Sequence, residues 1–569
     1  MKERNERYGN ILISAGVTLF CIIFTLWRYR LHYDMNDDVM LKDILSGVYT
    51  GRPEALDIQM LSPLSFVISL MYRLFPSPDW YGIFLLVSVF ITMFLMTGRV
   101  LSFSGTLPGK ILCSVAAALS FIVFGAPHVV FMQYTVISAF LMSTAIFLFC
   151  TEETVYLRRV VVRTVLLCGM ALCLRPLMAV FLTPFFILAV LYRELLRSGI
   201  PIKQKMKEVL PGFLAVSAAF LLLFLVNGIS CGGKEWREFR KFFDARTELY
   251  DYETIPAWES ASAMYSDLGL DRTDVKVIKN YNFGIDDRVD ARVLKEIAGY
   301  AHSLRRPPLQ RFRIALYVYL RQILPGRTYR VENITLLVLY SAVAFSIVIL
   351  KKYRYLLICP GLFILRSALY LYVIYRERYP DRITFSLFIC EAFVLLFLIL
   401  ALRGKQRKER RFTALLYSII CLISLTFLVP VSDGAIREEL NDRRFRNAGD
   451  TAIKAYCSSH PDIFFFEDVY STVDFSEELP GGTMGQNPMN CAIMGGWACR
   501  SPLWDRKLQA YGITDPYEAL LSGKAEFICR LDYDTDWIAE FYAARGQKVR
   551  VRRIAGIMGA YGVYRIHVR

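Results

Sequence analysis

Apolar residues in this chain come in long blocks, and spanning a bilayer as a helix takes a block of ~20 residues. Eleven blocks of that kind stand out: Ile11–Trp27, Trp80–Gly98, Ile111–Ala126, Val129–Cys150, Val160–Leu174, Pro176–Tyr192, Val209–Asn227, Ile334–Leu350, Tyr355–Tyr375, Ile383–Leu402 and Phe412–Val429. The block ending at Leu174 and the one starting at Pro176 form a tight hairpin. Three polar stretches interrupt the series: Arg28–Asp79, Gly228–Glu332 and the tail Ser432–Arg569. The pattern predicts a polytopic α-helical membrane protein of about eleven transmembrane helices. A membrane module would cover 1–431 and a small α/β domain 432–569.

The polar stretches carry patterns of their own. In 28–79, "LSPLSFVISLMYRLF" is apolar but short for a span, which suits a re-entrant or interfacial helix. In 228–332, "KEWREFRKFFDARTELYDYETIP" is dense in aromatics and charge, and "PPLQRFRIALYVYLRQILPG" predicts an amphipathic helix lying on the membrane. In the tail, "DIFFFEDVY" and "AEFICRLDY" read as buried strands. "DTAIKAYCSS" and "DTDWIAEFYAARG" read as helices, and "KVRVRRIAGIMGAYGVYRIHV" as a terminal hairpin.

Charge orients the chain. Lys and Arg accumulate in cytoplasmic loops, and here every second loop is basic, from Lys2, Arg4 and Arg7 to "RGKQRKERR" at Arg403. The expected orientation in the plasma membrane puts the N-terminus in the cytoplasm. The 28–79 loop, the 228–332 loop and the C-terminal domain lie outside. The net charge of +16 reads as this topology signal and not as a nucleic-acid interface. No small-residue cleavage site follows Trp27, so the first block is not a cleavable signal. Eight of the thirteen cysteines fall in the apolar blocks. Cys231, Cys457, Cys491, Cys499 and Cys529 fall outside, where disulfides are allowed.

The stretch "DMNDDVMLKDILSGVYTG" begins just after the first span. Asn36 is a good N-cap, Asp37 and Asp38 then sit in the first turn, and Gly47 ends the helix. That is one complete reading. The other is chemical, since a carboxylate fixed at a helix start beside the membrane surface is well placed to take a proton.

An acidic pair in the first external loop, followed by interfacial helices, a long external loop and an external C-terminal domain, resembles the GT-C superfamily of membrane glycosyltransferases. "NDDVMLKDILSGVYTGRP" and "EWREFRKFFDARTELYDYETIP" also resemble a group of bacterial membrane proteins placed near that superfamily. The resemblance implies transfer of a sugar from a polyprenyl-phosphate carrier to an extracytoplasmic glycan, lipid or protein. Asp37 or Asp38 would be the base, or the ligand of a divalent metal such as Mg²⁺ or Mn²⁺. Where the superfamily commonly has His-Pro-Pro, this chain has "LSPLS", so the acceptor class stays open. The expected partners are membrane lipids, the lipid-linked sugar donor and that acceptor.

A departing lipid phosphate needs positive charge, and the guanidinium fork matches phosphate oxygens. Arg175 lies in "LCLRPLM", and Arg376, Arg378 and Arg382 lie in "YRERYPDR", both at outer turns. These four are the candidate phosphate ligands. Snorkelling to lipid head groups is the plainer alternative for each. Arg366 and Glu391 fall inside apolar blocks, where a charge costs ~2.5–3.5 kcal/mol. Each lies about 15 Å from the turn near Pro380, which predicts an intramembrane ion pair, a proton or substrate pathway being the alternative. His128, Gln133, Trp236, Tyr250, Trp258 and the "NIT" at Asn333 are lesser signals. Two rival readings are a polysaccharide polymerase or ligase using lipid-linked oligosaccharide, and a lipid or polysaccharide transporter. A transporter would place polar groups at the midplane.

Overall fold

The computed structural model describes residues 2–323, 329–402, 407–482 and 490–569, the side chains of 2–4 and 407–421 excepted. Among the described residues, nine helices are long and apolar enough to cross a membrane: Asn5–Arg28, Trp80–Ser102, Leu107–Val130, Tyr134–Thr151, Pro176–Leu196, Ile202–Ser230, Arg330–Ile349, Tyr353–Tyr375 and Asp381–Leu402. The chain is a multi-pass, mostly α-helical membrane protein with a small β-rich C-terminal part. Two of the eleven expected spans are not among these nine. Val160–Leu174 lies in a helix of only 17 residues, Arg158–Leu174. Phe412–Val429 lies in the helix Arg407–Ser459, and much of it falls outside the described side chains.

Tyr134–Thr151 is buried along its whole length and forms the centre of the helical bundle. It packs against Asp381–Leu402, Arg158–Leu174 and Trp80–Ser102. Arg366 and Glu391 meet in the bundle, with Nε 3.0 Å from Oε2. Tyr340 donates to the other Glu391 oxygen at 2.5 Å, and Arg366 donates to Tyr319 at 3.3 Å. Tyr319 belongs to the helix Pro308–Ile323, the amphipathic element expected to lie flat. It leans against the span instead, with Arg311 bonded to the Tyr375 carbonyl at 3.0 Å and Ala315 and Tyr319 buried. The buried charge pair offers that face polar partners that a lipid surface would not.

Among the described residues, eight strands form two sheets. They are β1 (His32–Tyr33), β2 (Phe131–Met132), β3 (Phe464–Glu467), β4 (Glu477–Glu478), β5 (Cys491–Ile493), β6 (Ala525–Arg530), β7 (Val549–Ile557) and β8 (Tyr561–Val568). The larger sheet has the order β5-β3-β6-β8-β7; β3 runs parallel to both neighbours, and the hairpin β7–β8 joins antiparallel through β6. The helices Lys234–Tyr252, Trp258–Asp267, Arg272–Lys279 and Ala291–Ser303 of the long loop pack on this sheet. One core holds Phe242, Leu249, Tyr265 and Phe283 with Phe466, Trp504, Phe527 and Trp537. Two segments distant in sequence thus build one extramembrane module.

The smaller sheet, β2-β1-β4, ties the module to the bundle. Lys42, fully buried, bonds Glu477 at 2.7 Å, Asp43 at 2.9 Å and the Gly482 carbonyl at 2.8 Å. Asp79 accepts from Tyr33, Tyr72 and the backbone of Gly82 and Gly481.

Removing one partner of a buried ion pair strands the other charge, at a cost of ~3–5 kcal/mol, whereas removing both is far milder. Arg366→Leu is expected to lower the melting temperature sharply, and Arg366→Leu with Glu391→Leu to recover most of the loss. Thermal melts of the purified proteins decide this. Additive losses would mean that the pair is not coupled.

Candidate functional site

The helix carrying the acidic motif is Asn36–Ser46. Its N-cap is Met35, with extended backbone, and Asn36 is the first helical residue rather than the expected cap. Gly47 ends it at φ 92°, where a Cβ would fall 2.5 Å from the Arg52 carbonyl carbon. Asp37 and Asp38 both occupy the first turn. Neighbouring residues on a helix point about 100° apart, and these two have separate surroundings.

Asp38 points into the bundle. It is fully buried, and one oxygen accepts from the Tyr134 backbone N–H at 2.9 Å and from the Tyr81 hydroxyl at 3.2 Å. That N–H opens the central span, so Asp38 caps a second helix from outside it. Its other oxygen has no partner among the described residues. Burial, with Asp34 and Asp37 nearby, pushes the Asp38 carboxyl well above the usual carboxylate range. Asp34 is held by Arg443, whose guanidinium bonds its carboxylate and its carbonyl, each at 2.6 Å.

Asp37 faces the extramembrane module. Trp497 donates its indole N–H to Asp37 at 2.9 Å. The run "MGGW" makes this contact possible. Gly284 N–H bonds the Met494 carbonyl at 2.8 Å, a Cβ on Gly495 would fall 1.8 Å from the Tyr281 carbonyl oxygen, and Gly496 adopts φ 80°. Two glycines in succession let the chain pass that close and turn Trp497 toward the membrane helices.

The expected phosphate ligands divide. Arg382 lies 3.6 Å from the second Asp37 oxygen. Arg378 pairs with Asp251, and burial with Arg382, Arg246 and Arg175 nearby pushes it down to about 10. Arg175 stacks over Tyr134 at 5.0 Å and bonds Gln59. Arg376 stacks over Tyr252 at 4.4 Å instead. Arg246, which the sequence did not single out, joins the group through Asp251 and the Tyr281 hydroxyl. Guanidinium groups thus gather around two carboxylates, Asp37 and Asp251, and like charges at close range repel.

Asp37 also lines a cavity of about 240 Å³, walled by Asn36–Ser46, the long helix Arg407–Ser459 and the β5 side of the sheet. Its polar lining includes Asp37, Arg246, Tyr281, Lys454, Trp497 and Lys507. Lys454 pairs with Asp450 at 3.1 Å, and the Lys507 ammonium sits 4.3 Å over the Tyr49 ring. Burial pushes Lys507 down and Glu467 up from their ordinary ranges. Aromatic faces alternating with fixed donors and acceptors suit a polyhydroxylated ring.

The lesser candidates serve packing. His128 is wedged between Phe124, Phe140 and Phe385. Gln133 caps the central span through the N–H groups of Thr135 and Val136. Trp236 packs in a cluster with Ile44 and Leu503, Tyr250 stacks on Tyr281 and Trp258 on Tyr265, and Asn333 bonds the Gln322 carbonyl. Asp37 and Asp38 have different partners. Among the described residues, no group of three or more His, Cys, Asp or Glu side chains is placed to hold a metal ion.

No family model matches the chain, and no curated protein matches it. Two solved structures are similar to it over 98% of this chain and 98% of theirs. ArnT from Cupriavidus metallidurans bound to undecaprenyl phosphate shows 13% identity and a TM-score of 0.39. ArnT from the same organism in the apo state shows 12% and 0.41.

The state of Asp38 has a measurable consequence. Its folded pKa lies above the unfolded value of about 3.9, so the fold holds a proton that the unfolded chain releases. The burial penalty is absent below about pH 4 and grows as pH rises toward the folded pKa. Asp38→Asn keeps an acceptor for Tyr134 and removes the titration. Its melting temperature relative to the parent is expected to improve as pH rises above about 4 toward the folded pKa. A difference that does not change with pH would contradict a protonated Asp38.

Proposed function

We propose that this protein is an integral membrane glycosyltransferase that moves a sugar from a polyprenyl-phosphate carrier to an acceptor on the extracytoplasmic face. The observation that carries the reading is the position of Asp37, which lines the polar cavity and also faces Arg382 of the arginine cluster. A lipid-phosphate sugar keeps its tail in the bilayer and presents its anomeric carbon at the surface. The arginines come from the outer turns of membrane helices, where that phosphate would arrive. An apolar cavity of about 270 Å³ at membrane depth, between Trp80–Ser102, Leu107–Val130 and Asp381–Leu402, suits an isoprenoid chain. The resemblance of the first-loop motif to the GT-C superfamily points the same way.

In this proposal the acceptor enters the cavity beside Trp497. Its hydroxyl oxygen attacks the anomeric carbon, and Asp37 takes the proton as the new C–O bond forms. The bond from the anomeric carbon to the phosphate oxygen breaks. The charge that builds on the leaving phosphate is met by Arg382, with Arg378 and Arg175 behind it. Asp38 does not touch the reactants; it anchors the helix that presents Asp37. Holding acceptor and donor on either side of one carboxylate also supplies the orientation that a bimolecular transfer lacks in solution. The transporter alternative draws little support, because the intramembrane charges Arg366 and Glu391 are each other's partners.

Asp37→Asn keeps the shape and the Trp497 contact but cannot take a proton. A general base contributes ~10²–10⁴-fold in rate. The variant is therefore expected to fold normally, bind the carrier and lose transfer by that factor in an assay with a radiolabelled polyprenyl-phosphate sugar. Full transfer by Asp37→Asn would remove the carboxylate from the chemistry.

A further inference from the structure

Of the five cysteines outside the apolar blocks, two meet. Cys457 lies near the end of the helix Arg407–Ser459, and Cys491 opens β5. Both are buried in one cluster with Ile453, Phe465 and Ile528. The two side chains share that cluster, and the residue preceding Cys491 bonds the Cys457 backbone. The residue before Cys491 fastens the joint, because the Asn490 amide donates to the carbonyls of Cys457 at 2.8 Å and of His460 and Ile463 at 3.0 Å. Asn490 also accepts from the Phe465 N–H at 2.8 Å. The backbones on both sides of the thiol pair are therefore held in register. Cys499 and Cys529 have other partners, the Met494 carbonyl and the Ser471 hydroxyl.

We propose that Cys457 and Cys491 form a reversible disulfide that locks the long helix to the sheet at the wall of the polar cavity. Cys491 lines that cavity, and Cys457 is fully enclosed behind it, so Cys491 is the attacking thiol and Cys457 the resolving one. The neighbouring Cys457 thiol, with Lys507 and Lys454 nearby, holds Cys491 below the ordinary thiol range, which favours the nucleophilic thiolate. The oxidant is a small-molecule or protein disulfide. The Cys491 thiolate attacks one of its sulfurs, forming a mixed disulfide and releasing one thiolate, which takes up the Cys457 proton. The Cys457 thiolate then attacks Cys491 Sγ and expels the second external sulfur as a thiolate, which takes up the proton that Cys491 released on ionising. Two protein thiols are oxidised and one external disulfide is reduced to two thiols.

The lock bears on the site through what each side carries. The long helix holds Arg443, bonded to Asp34, and the Asp450–Lys454 pair of the cavity wall. The strand beginning at Cys491 leads directly into Gly495, Gly496 and the Trp497 contact with Asp37. Closing the disulfide fixes these two walls against each other. The orientation read from the basic loops puts the pair in a compartment where disulfides persist.

The test uses the full-length protein in lipid nanodiscs, equilibrated with oxidised glutathione, acid-quenched, denatured, alkylated and digested for mass spectrometry. A Cys457–Cys491 linked peptide is expected to replace the two alkylated peptides and to vanish with dithiothreitol, while Cys499 and Cys529 stay alkylated. In Cys457→Ala, Cys491 is expected to stop at the glutathione mixed disulfide. Oxidised protein should also melt several degrees above reduced protein, a gap absent in the double variant Cys457→Ala with Cys491→Ala. Recovery of both cysteines alkylated after equilibration, with no mixed disulfide in Cys457→Ala, would overturn the proposal. So would linkage of either cysteine to a different partner.

Discussion

A single buried hydrogen bond orders this molecule: the Tyr134 backbone N–H to the carboxyl of Asp38. It joins the short helix Asn36–Ser46 to the start of the most enclosed helix of the bundle, in surroundings that exclude water. An unpaired polar group there would cost several kcal/mol, so the contact leaves the short helix little freedom to turn. With Asp38 committed inward, Asp37 one position earlier must face the extramembrane module. The cavity, the Trp497 contact and the approach of Arg382 all depend on that rotation.

The seam between module and bundle is held by charges that pair where they are buried. Lys42 with Glu477, and Arg443 with Asp34, connect the first loop to the tail across most of the chain. Buried pairs of this kind add little net stability but make misdocking expensive, since any other arrangement strands a charge. The arginine group around Asp37 differs in kind. Arg175, Arg378, Arg382 and Arg246 crowd together, with Asp37 and Asp251 as their nearest paired carboxylates. Structural need alone does not explain such repulsion, and an anionic guest would relieve it.

Periodicity and turn chemistry made much of this legible in the sequence. The apolar blocks marked the membrane helices, Gly47 marked the end of the acidic helix, and the alternating tail segments marked β3, β6 and the β7–β8 hairpin. The acidic pair could be placed in a first turn, but which carboxylate faced inward could not be read. That choice depends on Tyr134, a tertiary neighbour. The Trp497–Asp37 bond spans 460 positions, and its only local trace was the Gly-Gly before the tryptophan. Arg246 was hidden in a charge-rich helix whose pattern fits an ordinary solvated face. The strands β1, β2 and β5, of two or three residues, are too short to show alternation. Pro308–Ile323 was misplaced on the membrane surface because the polar groups that recruit it, Arg366 and Glu391, lie in other helices.

The central claim is that Asp37 separates a phosphate site from an acceptor cavity. It is tested most directly by the structure of the Asp37→Asn variant, arrested with a short-chain polyprenyl-phosphate sugar in lipid nanodiscs. The account predicts the phosphate oxygens within hydrogen-bond reach of Arg382, about 3 Å. Arg378 or Arg175 should be turned toward them, and the sugar's anomeric carbon should lie beside residue 37, facing the Trp497 cavity. A phosphate bound elsewhere, with these three arginines unmoved and the cavity empty of sugar, would contradict it.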